Sequence, residues 1–351
     1  MSLPCGIRNY SYNTDTAIIR TKTQWVLLAL FLVLIFTIPA YSSGFQLGIF
    51  NLIGITIIAI IGLNILMGYC GQLSIGHAGF MAVGAYTTAI LTTTFGWPFF
   101  AAFICSGISA GLIGLLFGMP SMRVKGFYLA ITTIAAQFII IWIINHWSDV
   151  TRGSMGMGVD AASIGPLKLN SEISQFYLII GVTVLCVLFA ANLARSRVGR
   201  AFIAVRDNDL AAEVMGINVF SYKLLAFFLG CFFAGIAGSL FAQWRGNITA
   251  EDFTFSQSIL YVGILIIGGL GTSVGPILGV STMGLLLYWL LPTVVMPSVE
   301  SMNILPTGFS SGLAPMIFGA IMILSLVLEP RGLAHLWSLF KVSYRLWPFS
   351  Y

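Results

Sequence analysis

From Thr23 to Met122 the chain carries no Lys, Arg, Asp or Glu. A water-facing surface needs charge, whereas a bilayer span needs about 20 consecutive apolar residues. This stretch alone therefore has room for about four spans and their turns. The remainder agrees, because 58% of the 351 residues are apolar or aromatic and only 8% are charged. A soluble domain carries about 25% charged residues, so soluble-enzyme readings fall. The net charge of +5 is no sign of nucleic acid here, since in a membrane protein the placement of charges matters more than their sum.

Apolar runs between charges and Gly/Pro/Ser punctuation predict an all-α, polytopic transmembrane bundle of about ten spans. They cover residues 25–40, 47–67, 73–95, 99–119, 126–147, 175–194, 222–244, 256–270, 277–295 and 312–328. The third, rich in glycine, is a candidate for interruption, and the eighth is short. Around the bundle lie an N-terminal segment 1–24, whose long polar lead favours an uncleaved first span, and a tail 331–351; the membrane domain, 25–330, includes a loop 195–221. With both termini in the cytoplasm and ten crossings, only Arg152, Lys168 and Arg245 of the 16 basic residues fall outside. That bias follows the positive-inside rule. Cys5, Cys70, Cys105, Cys186 and Cys231 have no disulfide or metal-binding spacing.

The spans hold no formal charge, and only His77 and His146 add ionisable groups besides Cys and Tyr. Ion-driven carriers keep a carboxylate or other charge in the bundle, so the energy for any transport is expected from elsewhere. Neither a third metal ligand nor an orienting carboxylate stands near Ser74 and His77, and no catalytic or metal site is predicted. The run Gly268, Gly269, Gly271, Gly275 and Pro276 lacks the Gly-Lys-Ser/Thr ending of a phosphate loop, so this chain is not expected to bind ATP.

Two regions carry the functional expectations. In the loop 195–221, Asp207 is placed as a helix cap, Asp209 in the first turn and Gly216 just past the end. Leu210, Val214 and Ile217 then form an apolar ridge, with Ala211 and Met215 beside it and Arg206, Asp207 and Glu213 flanking it. Either this short helix rests on headgroups or it is a knob that docks into a cytoplasmic partner. Acidic groups in so basic a loop favour the partner. In the second region, Gly71, Gly76, Gly79 and Gly84 permit close helix approach or a broken helix. Asn64, Gln72, Ser74, His77 and Tyr86 beside them supply either ordinary helix glue or the lining of a substrate pathway; taken together they favour the pathway. On the outer side, the loop around Thr151 to Gly158 is a connector or a receiving surface for a partner protein.

Five segments together resemble the permeases of the branched-chain amino acid ABC importers. They are residues 62–80 (GLNILMGYCGQLSIGHAGF), 123–130 (RVKGFYLA), 199–217 (GRAFIAVRDNDLAAEVMGI), 267–279 (IGGLGTSVGPILG) and 329–333 (EPRGL). The likeness covers about Asn51 to Leu333. The order Ala211-Ala212-Glu213 departs from the Glu-Ala-Ala of the wider permease class and suits the branched-chain branch.

The resemblance implies a permease subunit, not an enzyme, in a bacterial inner membrane. It implies pairing with a second, related permease, two cytoplasmic ATPase subunits that hold ATP and Mg, and an extracytoplasmic binding protein. It also implies that Arg200, Arg206, Asp207, Asp209, Leu210, Glu213, Val214 and Gly216 couple this chain to the ATPase. The expected cargo is a branched-chain or other hydrophobic amino acid. Urea, short amides and aromatic acids are the alternatives, and an autonomous carrier or channel is the rival class.

Overall fold

The computed structural model describes residues 22–121, 127–159, 163–164, 167–168, 171–295, 297 and 309–346. Residues 1–21 of the expected N-terminal segment, 123–126 of the segment 123–130 and 347–351 of the tail lie outside the described residues. Each apolar run folds as helix over all or most of its length, because a backbone among apolar side chains must satisfy its own hydrogen bonds. The helices are α1 (Lys22–Thr37), α2 (Gly44–Leu63), α3 (His77–Ala89), α4 (Phe99–Ser121), α5 (Phe127–His146) and α6 (Glu172–Arg195). After them come α7 (Arg197–Asp207), α8 (Asp209–Val214), α9 (Val219–Arg245), α10 (Phe255–Gly268), α11 (Gly275–Gly284), α12 (Phe309–Leu328) and α13 (Leu333–Leu346). Wider π turns extend α2 to Tyr69, α3 to Thr94 and α11 to Val295.

Among the described residues seven helices are long and apolar enough to cross a membrane, or eight if one bent pair counts as a span. The other predicted runs differ for physical reasons. The first gives a 16-residue helix. The third stays unwound until His77, and α3 is buried on nearly all sides, so it has no need of a lipid-compatible surface. The tenth bends by 47° into α13, which occupies most of the expected tail. The eighth gains a turn instead: a Thr249–Asp252 capping box starts helical structure at Ala250, and Ala250–Gly268 is 19 residues long.

The centre of the bundle is α9, which packs on α4, α3 and α2. The contact is close because both sides are small. A Cβ on Gly62 would lie 2.5 Å from the Gly230 carbonyl, and one on Gly84 would collide with Gly235. Along α4 the glycines face inward, where a Cβ on Gly111 would lie 2.6 Å from the Phe228 ring, while Ile104, Ile108, Leu112 and Leu116 repeat every fourth residue on the exposed face. Small residues inside and large apolar residues outside suit a helix whose solvent is lipid.

The loops gather at two ends. At one, the turn after α2, the segment 195–223, residues 269–274 and the turn 329–332 touch one another. At the other, Met157–Gly158 pairs antiparallel with Asn247–Ile248, and the Val159 N–H donates to the Gly246 carbonyl (2.9 Å).

Candidate functional site

The segment 195–223 folds as two helices, where the sequence suggested one. Ser196 caps α7, its Oγ accepting from the Gly199 N–H at 3.2 Å. Ala201, Phe202 and Val205 bury one face of α7, and the Phe202 ring meets Tyr222 edge-on. Because α7 runs through Asp207, the cap of α8 falls one residue later than expected: Asn208 Oδ1 accepts from the Ala211 N–H at 3.1 Å. Asp207 accepts instead from Arg206 Nε and Nη2, at 3.0 and 2.9 Å. Asp209 lies in the first turn of α8 and 3.5 Å from Lys223 Nζ. Arg200 donates to the Arg195 carbonyl (2.8 Å) and is exposed.

Gly216 closes α8 as the spacing suggested. Its φ of +84° reverses the chain, and the Ile217 N–H returns to the Ala212 carbonyl at 3.0 Å. That reversal corrects the predicted ridge, since it turns Ile217 inward against the core while Met215 takes its place outside. Leu210, Val214 and Met215 are 65%, 87% and 82% exposed, and Glu213 stands exposed among them. A six-residue helix with a buried Ala212 and with Leu210, Val214 and the following Met215 turned outward is a knob that meets no socket among the described residues.

The glycine-rich region is a break in the bundle. After the π turn Asn64–Tyr69, residues 70–76 are unwound, with Gly71 at φ +72°, and α3 begins only at His77. A matching unwound loop, residues 269–274, joins α10 to α11, where Pro276 suits the first turn of the new helix. Asn64 ties the two loops together. Its Nδ2 donates to the Thr272 carbonyl and its Oδ1 accepts from the Gly271 N–H, both at 2.9 Å. The Tyr69 and Ser273 hydroxyls lie 3.1 Å apart, and Thr272 Oγ1 accepts from the Gly275 N–H at 3.0 Å. Gly268 packs on Gly275, and Gly332 on Gly269, with no room for a Cβ between them.

The five polar residues expected along a pathway are all buried. Asn64 is the clamp just described, and Gln72 Nε2 donates to the Lys223 carbonyl at 3.1 Å. His77 Nε2 lies 2.9 Å from the Ala59 carbonyl. Among the described residues Ser74 Oγ, His77 Nδ1 and the Tyr86 hydroxyl have no hydrogen-bond partner, so no bond joins Ser74 to His77. His146 stands apart at the far end of α5, against the Trp142 carbonyl.

Three residues that the sequence reading passed over hold the other side of the break. Thr133 Oγ1 accepts from the Ile75 N–H (3.0 Å), and Ser258 Oγ accepts from the Ala78 N–H (2.9 Å). Ser258 in turn donates to Gln137 Oε1 (2.8 Å), whose amide donates to the Phe253 carbonyl (3.2 Å). Their signal was present as isolated polar residues inside apolar runs. Gly76 and Gly79 lie directly against Thr133 and Gln137. Gln137 also borders a cleft of about 230 Å³, lined by Phe138, Ile141, Asn145, Glu251 and Thr254, that reaches the end of the bundle opposite the knob.

Arg206 joins the two regions. Its Nη1 donates to the Gly68 carbonyl at 2.8 Å, across 138 residues of sequence, so the knob is fastened to the break.

The model of the family described as branched-chain amino acid transport system / permease component matches residues 45–326, and the chain belongs to that family. The high-affinity branched-chain amino acid transport system permease protein LivM of Escherichia coli K12 is 32% identical over 282 residues, 74% of this chain and 66% of the relative. The chain thus spans a little under two-thirds of that relative's length. A probable branched-chain amino acid permease LivM of Methanocaldococcus jannaschii is 26% identical over 238 residues, 66% of this chain and 67% of the relative. The autoinducer 2 import system permease protein LsrC of Enterobacter sp. strain 638 is 29% identical over 264 residues, 72% of this chain and 74% of the relative. No solved structure matches.

Proposed function

We propose that this chain is the membrane-embedded half of an ATP-driven, binding-protein-dependent importer. Its partners in this reading are a second, related permease, two cytoplasmic ATPase subunits that hold ATP and Mg, and an extracytoplasmic binding protein. In this reading the chain lies in the bacterial inner membrane with the end that bears the knob towards the ATPases. The observation that carries the reading is the exposed apolar α8, fastened through Arg206 to the break between α2 and α3. A knob on a rigid support gives the ATPase pair a means of favouring one of two bundle states. Arg200, Asp207, Asp209, Glu213 and Gly216 set the charge and shape of that knob.

The cargo we assign is a branched-chain or other hydrophobic amino acid, as the names of the LivM relatives suggest. The LsrC likeness supports a second reading, in which the cargo is autoinducer 2 or a molecule like it. In either case Ser74, His77 and Tyr86, each with a buried polar atom awaiting a partner, are the groups offered to cargo when the bundle switches, while Asn64 and Gln72 hold the ends of the break. The cleft beside Gln137 is the approach from the outer end.

The test is a mild-detergent pulldown of the tagged chain from its native membrane, followed by reconstitution in liposomes. Co-recovery of a similar permease and an ATP-binding subunit, with uptake that requires ATP and a binding protein, is the expected outcome. A chain that comes out alone and transports without ATP would overturn the reading.

A further inference from the structure

Arg206 occupies a slot whose two sides are glycine. Its Cγ lies 2.8 Å from where a Cβ on Gly71 would stand, and its Nη1 lies 2.9 Å from where one on Gly271 would stand. Gly71 belongs to the break after α2 and Gly271 to the loop after α10, so the side chain runs between the two unwound segments. Inside the slot Nη1 donates to the Gly68 carbonyl, and at its mouth Nε and Nη2 hold Asp207 Oδ1. The guanidinium is planar and its donors point in fixed directions, so bonds on both edges hold α7 and the break at one relative angle. A lysine ammonium is a single point and cannot define that angle.

The two loops are already tied together, because Asn64 bonds to both Gly271 and Thr272. What they need for coupling is a fixed link to the knob.

We propose that Arg206 is a positioning residue that keys α7 and α8 to both unwound loops, so that a displacement of the knob is delivered to the α2–α3 break and the α10–α11 loop as one motion. This rests on the reading of α8 as the ATPase-docking knob. It adds that docking alone is insufficient: without the key, the ATPases bind and hydrolyse ATP while the bundle stays still. The absence of side chains at Gly71 and Gly271 then has a mechanical reason beyond their positive φ.

The experiment uses the whole reconstituted complex and reads three quantities: ATPase subunits retained, cargo moved per ATP hydrolysed, and alkylation at Cys70 followed by mass spectrometry. Cys70 is buried beside Gly71 and reports on the break. For Arg206→Ala we expect ATPase retention unchanged, cargo per ATP reduced about tenfold, and alkylation that no longer depends on nucleotide. Arg206→Lys is expected to recover less than half of the loss, which separates bidentate geometry from charge. Cargo per ATP within about twofold of the parent in Arg206→Ala, or full recovery with Lys, would overturn the key.

If Arg206→Ala fails to assemble, Gly71→Ala gives a second test. Both the strain at φ +72° and the crowding of Arg206 then act, but the crowding alone disappears when the arginine is also shortened. The stability cost of Gly71→Ala, read on the detergent-solubilised chain by itself, should therefore be smaller in the Arg206→Ala background, which has no Cγ, than in the parent, and equal costs would overturn the slot. Val214→Asp keeps the two readings apart. If that variant retains its ATPases and its uptake, the docking assignment itself is wrong, whatever Arg206 does.

Discussion

The knob at α8 and the break at residues 64–76 are both short interruptions in a helical chain, and they reverse the usual burial rule in opposite senses. The knob puts Leu210, Val214 and Met215 outside, whereas the break puts Asn64, Gln72, Ser74 and His77 inside. Exposed apolar groups that no described residue covers are a candidate docking surface. Buried polar groups are costly unless paired, so the bonded Asn64 and Gln72 fix the chain to itself, while Ser74 Oγ is buried without such a bond. On the proposed reading, the difference separates a surface for a partner from the bonds that hold two helix breaks in register.

The contrast is broken most severely at Asn64. Asn64→Leu leaves the Gly271 N–H and the Thr272 carbonyl unsatisfied in an apolar interior, and each orphaned group costs about 1–3 kcal/mol. The expected result is a loss of about 2–6 kcal/mol, read as a collapse of the thermal transition of the detergent-solubilised protein. An unchanged transition would mean that the two loops are held by packing alone. The matching change in the knob should act on a different quantity. With Val214→Asp the thermal transition should stay where it is, while affinity for the ATPase subunits falls at least about tenfold, the size expected when a central apolar contact is lost. Glu213→Arg should act in the same direction through charge. A knob variant that lowers stability but spares association would put α8 on the inside of the comparison.

How much of this contrast could be read in advance depends on how local its causes are. The helices were legible because apolar runs dictate them, and Gly216 was legible because a helix end asks for a left-handed residue. The cap was not. Asp207, Asn208 and Asp209 are all good caps in a row, and the choice among them is made by the buried face of α7, Phe202 and Val205, which decides where that helix stops. Ile217 was assigned outward because periodicity was carried one residue past the reversal that Gly216 imposes. Thr133, Gln137 and Ser258 looked like ordinary polar residues in spans until the fold placed them against Ile75 and Ala78. The bond from Arg206 to Gly68 joins residues 138 apart, and nothing local in either segment points to the other.

A finer test concerns the end of the knob. At Gly216 no atom lies within 4 Å of an added Cβ, so Gly216→Ala meets no clash and pays only for φ +84°, about 1 kcal/mol. Gly216→Asn, which tolerates that region better, should cost less. Measured as ATPase association, Ala should weaken docking severalfold and Asn should restore much of it. Equal effects would show that space around the turn matters after all, as it would if the partner's socket closes over it.

The smallest expected effect is also the most discriminating for the break. Ser74 Oγ is buried with no partner, so removing it should not destabilise the resting protein: Ser74→Ala is expected within about 0.5 kcal/mol of the parent, or slightly more stable. A residue that serves only as helix glue would lose stability on that change and leave the uptake rate per folded complex alone. A residue offered to cargo would do the reverse, because the moving bundle would lose a hydrogen-bonding group that the resting one never used. Uptake reduced by a few-fold at constant stability would assign Ser74 to the pathway. Unchanged uptake in Ser74→Ala, with uptake also preserved in the bulkier Ser74→Leu, would move the path out of the break and leave residues 70–76 as a joint that bends without touching what passes.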